Sequence, residues 1–334
     1  MKFQFTYKLT TEDRVQVLNF IKLFENIGIE QHPDYLPIVY AVHKICYFIC
    51  TDENDILAYT PILEKNHAAF IYFGPLIHKT DNTFIKEIAD YYKKKSFAFI
   101  ELIPSLINKE DNLLFKDKER IIQNGHKWAT IRIDLTEDIN TISNKFSEHH
   151  KRQLKKSLQE KLYVTELNDI NQIENFADIY INMYHYRKIK TYLYDVKEVF
   201  KNLFLWIQKD NGFVIGVFKE DILIGGLYVL FAGNTAYFQF GASDAEYRNL
   251  PILHSAFFKA FELAKSLNKK CFDMGGYVTD ATEKEQVFNI NRFKRGFSEN
   301  IIIFPDTLRI KLNSAGYWLY QLEKKIYSWY RKIF

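Results

Sequence analysis

At 334 residues the chain is long enough for about two domains of roughly 150 residues each, and its 47% hydrophobic content can fill two cores. The 45 Lys+Arg against 41 Asp+Glu leave a net charge of +4, too balanced to announce nucleic-acid binding from composition. Thirteen Gly, seven Pro and 16% aromatic residues exclude a collagen-like, linker-like or largely disordered chain.

Residues 1–14 contain no apolar stretch of the roughly 7–15 residues that a secretory signal needs, and no small-residue cleavage site. A cytoplasmic chain is expected. The pattern TEDRVQVLNFIKLF predicts a helix over residues 11–24 with Thr11 as its cap. Strands are then predicted over 47–51, 56–63 and 69–73, a helix over 83–95 and a strand over 97–102. Cys46 and Cys50 lie in one apolar run and Cys271 in another, without CxxC or Cys/His spacing. They read as buried thiols of a reducing compartment, with no zinc. The most apolar windows, 36–50 and 213–232, are broken by His43-Lys44 and by Lys219-Glu220-Asp221. Neither offers the ~20 uninterrupted apolar residues of a membrane span.

The segment 144–161, NKFSEHHKRQLKKSLQEK, carries six Lys/Arg to two Glu. Phe146, Leu154 and Leu158 are spaced for one helix face, with Lys151, Arg152, Lys155 and Lys156 on the others. It is either a solvated amphipathic helix or a basic ridge meeting phosphates. A helix over 170–187 follows, then strands over 213–218, 222–231 and 235–240, a helix over 253–267 and a strand over 270–274. These repeat the strand order of the first half at an offset of about 166 positions, the mark of a duplicated domain unless the match of hairpins is coincidence. The expected fold is therefore α+β (mixed α/β) in two similar domains. The tail, 313–334, interleaves Tyr317, Leu319, Tyr320, Ile326, Tyr327, Trp329 and Tyr330 with Lys324, Lys325, Arg331 and Lys332. It is a helix for a membrane surface or, as aromatic residues on several sides favour, one buried against a neighbouring domain.

Several motifs, in chain order, resemble the FemABX family of peptidoglycan aminoacyltransferases. They are FSEHHKRQLKKSLQEK at 146–161, Tyr184-His185-Tyr186-Arg187, YFQFGAS at 237–243, FDMGG at 272–276 and NRFKRGF at 291–297. In the first half QHPDY at 31–35 and YFGPL at 72–76 also look like family motifs. The resemblance implies two GNAT-like acyltransferase domains side by side, residues 1–140 plus 311–334 and residues 141–310, with the C-terminal helix packing back on the first. It implies transfer of an amino acid from an aminoacyl-tRNA donor to an amine on the stem peptide of a UDP- or lipid-linked muropeptide acceptor. Neither a metal nor an organic cofactor is implied, and no DNA partner. Peripheral contact with the inner membrane leaflet stays open.

An aminoacyl ester is already activated, so the protein chiefly has to align the amine and steady the oxyanion. The resemblance gives that catalytic role to Lys294, with Phe293 shaping the channel; a surface lysine in a basic turn is the plainer reading. It associates Arg187 with the precursor, whose diphosphate or carboxylate suits a guanidinium. Tyr184 and Arg152 join Arg187 as substrate-binding candidates. Asp273 reads as capping the loop that ends a strand and lining the site second, while Gly275 and Gly276 admit a tight backbone approach. Gly74, with Pro75, shapes the mouth of the first-domain cleft or is a plain turn. The chain departs from relatives in having Leu36-Pro37-Ile38 where some place a lysine after the 31–35 motif, and Ser298 where many have glycine. Glu101 is the one acidic residue near a position suggested as a base, so the base is unassigned.

The alternative is a GNAT-type, acyl-CoA-dependent N-acyltransferase of exopolysaccharide or lipid biosynthesis. Such enzymes seat pyrophosphate on a glycine-rich loop of backbone N–H donors. Here that loop reads Arg248-Asn249-Leu250-Pro251-Ile252-Leu253, bulky and with a proline that has no N–H to give. A noncatalytic RNA- or membrane-binding protein is the remaining class.

Overall fold

The computed structural model describes residues 1–25, 27–53, 55–78, 83–104 and 128–333. They form two compact units, Met1–Gly125 with Pro305–Phe334, and His126–Phe304.

In the first unit β1 (Lys2–Thr6) leads into α1 (Thr11–Ile21) and the short α2 (Tyr35–Val39). There follow β2 (Lys44–Asp52), β3 (Asp55–Lys65), β4 (Ala68–Tyr72), β5 (Leu76–Ile77), α3 (Thr83–Lys94) and β6 (Phe99–Ile103). The cap of α1 is Thr10 rather than Thr11: its hydroxyl accepts from Asp13 N at 3.0 Å while the Asp13 carboxylate accepts from Thr10 N at 3.1 Å. That reciprocal pair satisfies two helix-end donors at once. The apolar runs of β2 and β3 are buried on both faces, as β-branched and aromatic residues in a central strand require.

The second unit contains β7 (Trp128–Asp134), α4 (Ile139–Asn144), α5 (Glu148–Gln159), β8 (Leu162–Glu166), α6 (Ile170–Tyr186) and α7 (Val196–Trp206). The meander β9 (Gly212–Lys219), β10 (Ile222–Ala232) and β11 (Thr235–Ser243) follows, then α8 (Ile252–Ser266), β12 (Cys271–Val278), α9 (Gln286–Arg295) and β13 (Ile301–Ile303). The chain then returns to the first unit as β14 (Leu308–Lys311) and α10 (Ser314–Ile333).

The two sheets repeat one layout. Among the described residues the first runs β1-β2-β3-β4-β6-β14, with β5 beside β3, and the second β13-β7-β12-β11-β10-β9-β8. In each, an antiparallel meander is followed by a helix and a parallel neighbour, β4 with β6 and β11 with β12. The parallel strand then meets an antiparallel one, β14 in the first sheet and β7 in the second. A boundary at residue 141 would assign β7 to the first unit, but its hydrogen bonds to β12 and β13 place it in the second.

The basic helix differs from its predicted register. Ser147 caps it, accepting from His150 N at 3.3 Å, so Phe146 stands before the helix and is buried there. The inward side chains are His150 and Ser157, with Leu154 packed on the core, and Leu158 is 78% exposed. Arg152 and Lys155 face solvent, while Lys156 donates to Asn249 O at 2.7 Å. In α10, Tyr317 and Tyr320 set their rings edge-on against Phe99, 5.7 and 4.7 Å between centroids. Trp318 and Leu319 are exposed. The side chains of Ile326, Tyr327, Trp329 and Tyr330 lie outside the described residues. Among the described residues no helix is long and apolar enough to cross a membrane.

Candidate functional site

The site grows from β12, whose sequence CFDMGGYV alternates until two glycines interrupt it. Phe272 and Met274 enter the core, which turns Asp273 to the opposite face. The strand does not end at Met274. It bulges against β7 between Asp273 and Gly276 and continues to Val278. Gly275 takes φ +73° there, a backbone region that costs side-chain-bearing residues about 1 kcal/mol or more.

Asp273, 3% exposed, holds the bulge. Its Oδ1 accepts from Gly275 N at 2.9 Å and from the Thr130 hydroxyl, and its Oδ2 accepts from Arg132 Nε at 3.0 Å. The carboxylate therefore caps its own strand rather than a following loop.

β11 and β12 are paired only from Thr235↔Cys271 to Tyr237↔Asp273, after which both strands continue unpaired with each other. Lys294 belongs at this parting. It is 7% exposed, its Nζ donates to Gly276 O at 2.8 Å, and the ammonium lies 5.8 Å from the Phe238 ring centroid. Burial pushes its pKa down to about 8, with the Asp273 charge pulling the other way. At neutral pH it is a buried cation near the point of losing its proton.

The helix α9 is clipped to β12 by Asn291, which donates to Val278 O at 2.7 Å and accepts from Val278 N at 3.4 Å. Consecutive residues of this helix then point apart: Lys294 to the strands and Phe293 to a cavity of about 880 Å³. That cavity is lined by His149, His150 and His254 together with Tyr277, Arg292 and Arg295. His150 Nε2 lies 2.9 Å from Phe293 O. A carbonyl only accepts, so this nitrogen carries the proton, and Nδ1, 3.1 Å from Ser147 Oγ, is the acceptor. Burial pushes His150 down to about 4 and His254 to about 3, leaving neutral rings. At Gly296 a Cβ would sit 2.0 Å from His150 Cε1, so only glycine lets the ring pack this closely.

The structure thus brings together Lys294, Asp273, Gly275 and Gly276, while Phe293, next to Lys294 in the chain, lines the histidine cavity instead. Arg187 caps the C-terminus of α6 and is exposed, and Tyr184, half-buried one turn earlier, accepts from the Tyr180 hydroxyl at 3.0 Å. Arg152 is exposed on α5. Gly74 is buried in the first unit, where a Cβ would come within 2.4 Å of Gln31 Nε2; that nitrogen donates to Tyr72 O at 2.6 Å. Glu101, the acidic residue considered as a base, accepts from Arg309 Nε at 2.9 Å, and Arg309 is 3% exposed. Its carboxylate is committed to that pair. Cys46, Cys50 and Cys271 are free thiols.

Sequence reasoning missed the histidine cluster, Asn291 and the Thr130–Arg132 support of Asp273. His149-His150 stood inside a quoted motif, but His254 is far away in sequence and comes from another helix.

No family model matches the chain. A stretch of 76 residues, 23% of this chain, is 30% identical to a lipid II:glycine glycyltransferase of Staphylococcus epidermidis. Another of 130 residues, 38% of this chain, is 21% identical to a lipid II:glycine glycyltransferase of Staphylococcus haemolyticus. The matches cover 18% and 31% of those relatives' own lengths. In fold the chain is similar to the crystal structure of FemX, with a TM-score of 0.75, 13% identity, and 96% of this chain and 99% of that one covered. It is also similar to a tandem GNAT protein from the clavulanic acid biosynthesis pathway, with a TM-score of 0.58, 8% identity, and 93% and 99% covered. The fold is thus that of FemX and of a tandem GNAT protein, and the local sequence likeness is to lipid II:glycine glycyltransferases.

Proposed function

We propose that the protein is an aminoacyltransferase of peptidoglycan assembly, moving an amino acid from aminoacyl-tRNA to an amine of a lipid- or UDP-linked stem peptide. The observation that carries this reading is the buried Lys294 ammonium, held by Gly276 O where β11 and β12 part. The acceptor amine attacks the ester carbonyl, the C–N bond forms, and negative charge develops on the carbonyl oxygen. A lysine has three N–H donors; with one engaged by Gly276, two remain for that oxygen. Collapse breaks the ester C–O bond, and the ribose hydroxyl leaves with the proton lost by the amine. Fixed donors in a water-poor site favour such a step because no solvent has to reorganise.

Arg187 and Arg152, both exposed cations, suit the diphosphate of the acceptor or the phosphates of the donor. The acyl-CoA reading is weakened at α8, where Pro251 occupies the N-cap position without a side-chain cap and without an N–H for a pyrophosphate. The test is incubation of the purified protein with glycyl-tRNA, then other charged tRNAs, and a lipid- or UDP-linked muropeptide. A product larger by one residue is expected by mass spectrometry, with Lys294→Ala lowering turnover about 100-fold or more. Transfer from an acyl-CoA with no transfer from any charged tRNA would overturn the proposal.

A further inference from the structure

We infer that His149, His150 and His254 form a three-histidine site for a divalent transition-metal ion of the zinc class in the wall of the cavity beside Phe293. One ring nitrogen from each lies within 4.8 Å of the other two, and all three residues line the same cavity. His254 Nε2 is buried and makes no hydrogen bond, a cost of about 1–3 kcal/mol for a polar atom unless something else takes its lone pair.

His150 is already set up as a ligand. Its Nε2–H donates to Phe293 O, the outer contact by which a metal-bound imidazole is oriented, and its Nδ1 lone pair meets the hydroxyl hydrogen of Ser147, which can rotate off while the oxygen keeps its cap bond from His150 N. His149 is exposed on the same helix and free to swing. Zinc at about 2.0–2.1 Å from tetrahedral nitrogens would set them about 3.4 Å apart. The nitrogens lie within 4.8 Å of one another, and the exposed His149 ring is the one that can move towards the other two. Three neutral ligands leave the ion's full charge and a fourth position facing the cavity, where Arg292 and Arg295 are also present. Water or an anionic oxygen would complete the tetrahedron.

The proposal does not rest on the transferase reading, and its test reads metal binding alone. The full chain, without a polyhistidine tag and freed of metal by chelator, is titrated with zinc by calorimetry and with cobalt by visible absorption. One equivalent is expected, with the intense visible bands of tetrahedral cobalt and a zinc-dependent rise in Tm. His149→Ala, at an exposed position, and His254→Gln are each expected to weaken zinc binding at least 10-fold and abolish the Tm rise. His185→Ala, at an exposed histidine of α6, leaves both unchanged. Absence of stoichiometric binding, or binding that survives His149→Ala and His254→Gln, would overturn the site and leave a packed cluster of neutral rings.

Discussion

Replacing Lys294 with methionine keeps the stem of the side chain and removes the buried charge. The fall of the lysine pKa from 10.5 to about 8 corresponds to about 3 kcal/mol of native-state penalty, at roughly 1.4 kcal/mol per pH unit. Losing the hydrogen bond to Gly276 O offsets about 1 kcal/mol of that, since Gly276 is exposed and its carbonyl can turn to water. The variant should therefore be about 2 kcal/mol more stable than the parent at pH 7, while losing transfer activity. The sign with pH is fixed by linkage. Between about 8 and 10.5 the unfolded chain binds the lysine proton and the folded one does not, so parent stability rises with pH in that window. The penalty is fully present below pH 8 and relieved as pH climbs towards 10.5. Urea denaturation of both proteins at half-unit steps from pH 7 to 10.5 isolates this group, because every other titration is shared. The difference in unfolding free energy should shift by about 3 kcal/mol in favour of the parent. A difference that stays flat across the range would refute the burial of a charged Lys294.

Asp273→Asn leaves Arg132 facing a neutral amide in a nearly closed environment and should cost about 3 kcal/mol, measured by denaturant unfolding at pH 7. A cost below about 1 kcal/mol would mean that the carboxylate does not hold the bulge. Gly275→Ala forces a Cβ into φ +73°, in ordinary contact with Phe238 O at 3.4 Å, and the backbone strain should destabilise by about 1–2 kcal/mol. Because it disturbs the carbonyl that anchors Lys294, its loss in kcat should exceed its loss in stability; equal losses would argue that the glycine is only a turn.

Much of the fold was readable because local chemistry and burial agree. The apolar runs of β2, β3, β9 and β10 lie in sheet centres, and their recurrence in the same order was visible as spacing alone. Ends were read less well. Thr11 looked like the cap of α1, but the hydroxyl one residue earlier reaches Asp13 N and starts the helix there. In the basic helix the cap at Ser147 rotated the pattern, burying His150 and exposing Leu158. A one-residue change of start turns a helix by about 100°, which hydrophobic spacing over three turns cannot resolve. The glycine pair of β12 signalled a strand end, whereas the side chain of Asp273 pays for carrying the strand through a bulge.

By itself the order of residues determined which stretches are strands and that two similar sheets are built, because periodicity, cap chemistry and turn residues act over short distances. The tertiary structure decided that Phe293 and Lys294 face different surroundings, that Glu101 is taken by Arg309, and that His254 meets His149 and His150. Those outcomes depend on which side chain has lost its water and which distant partner replaces it, and burial of that kind exists only once separate elements have packed.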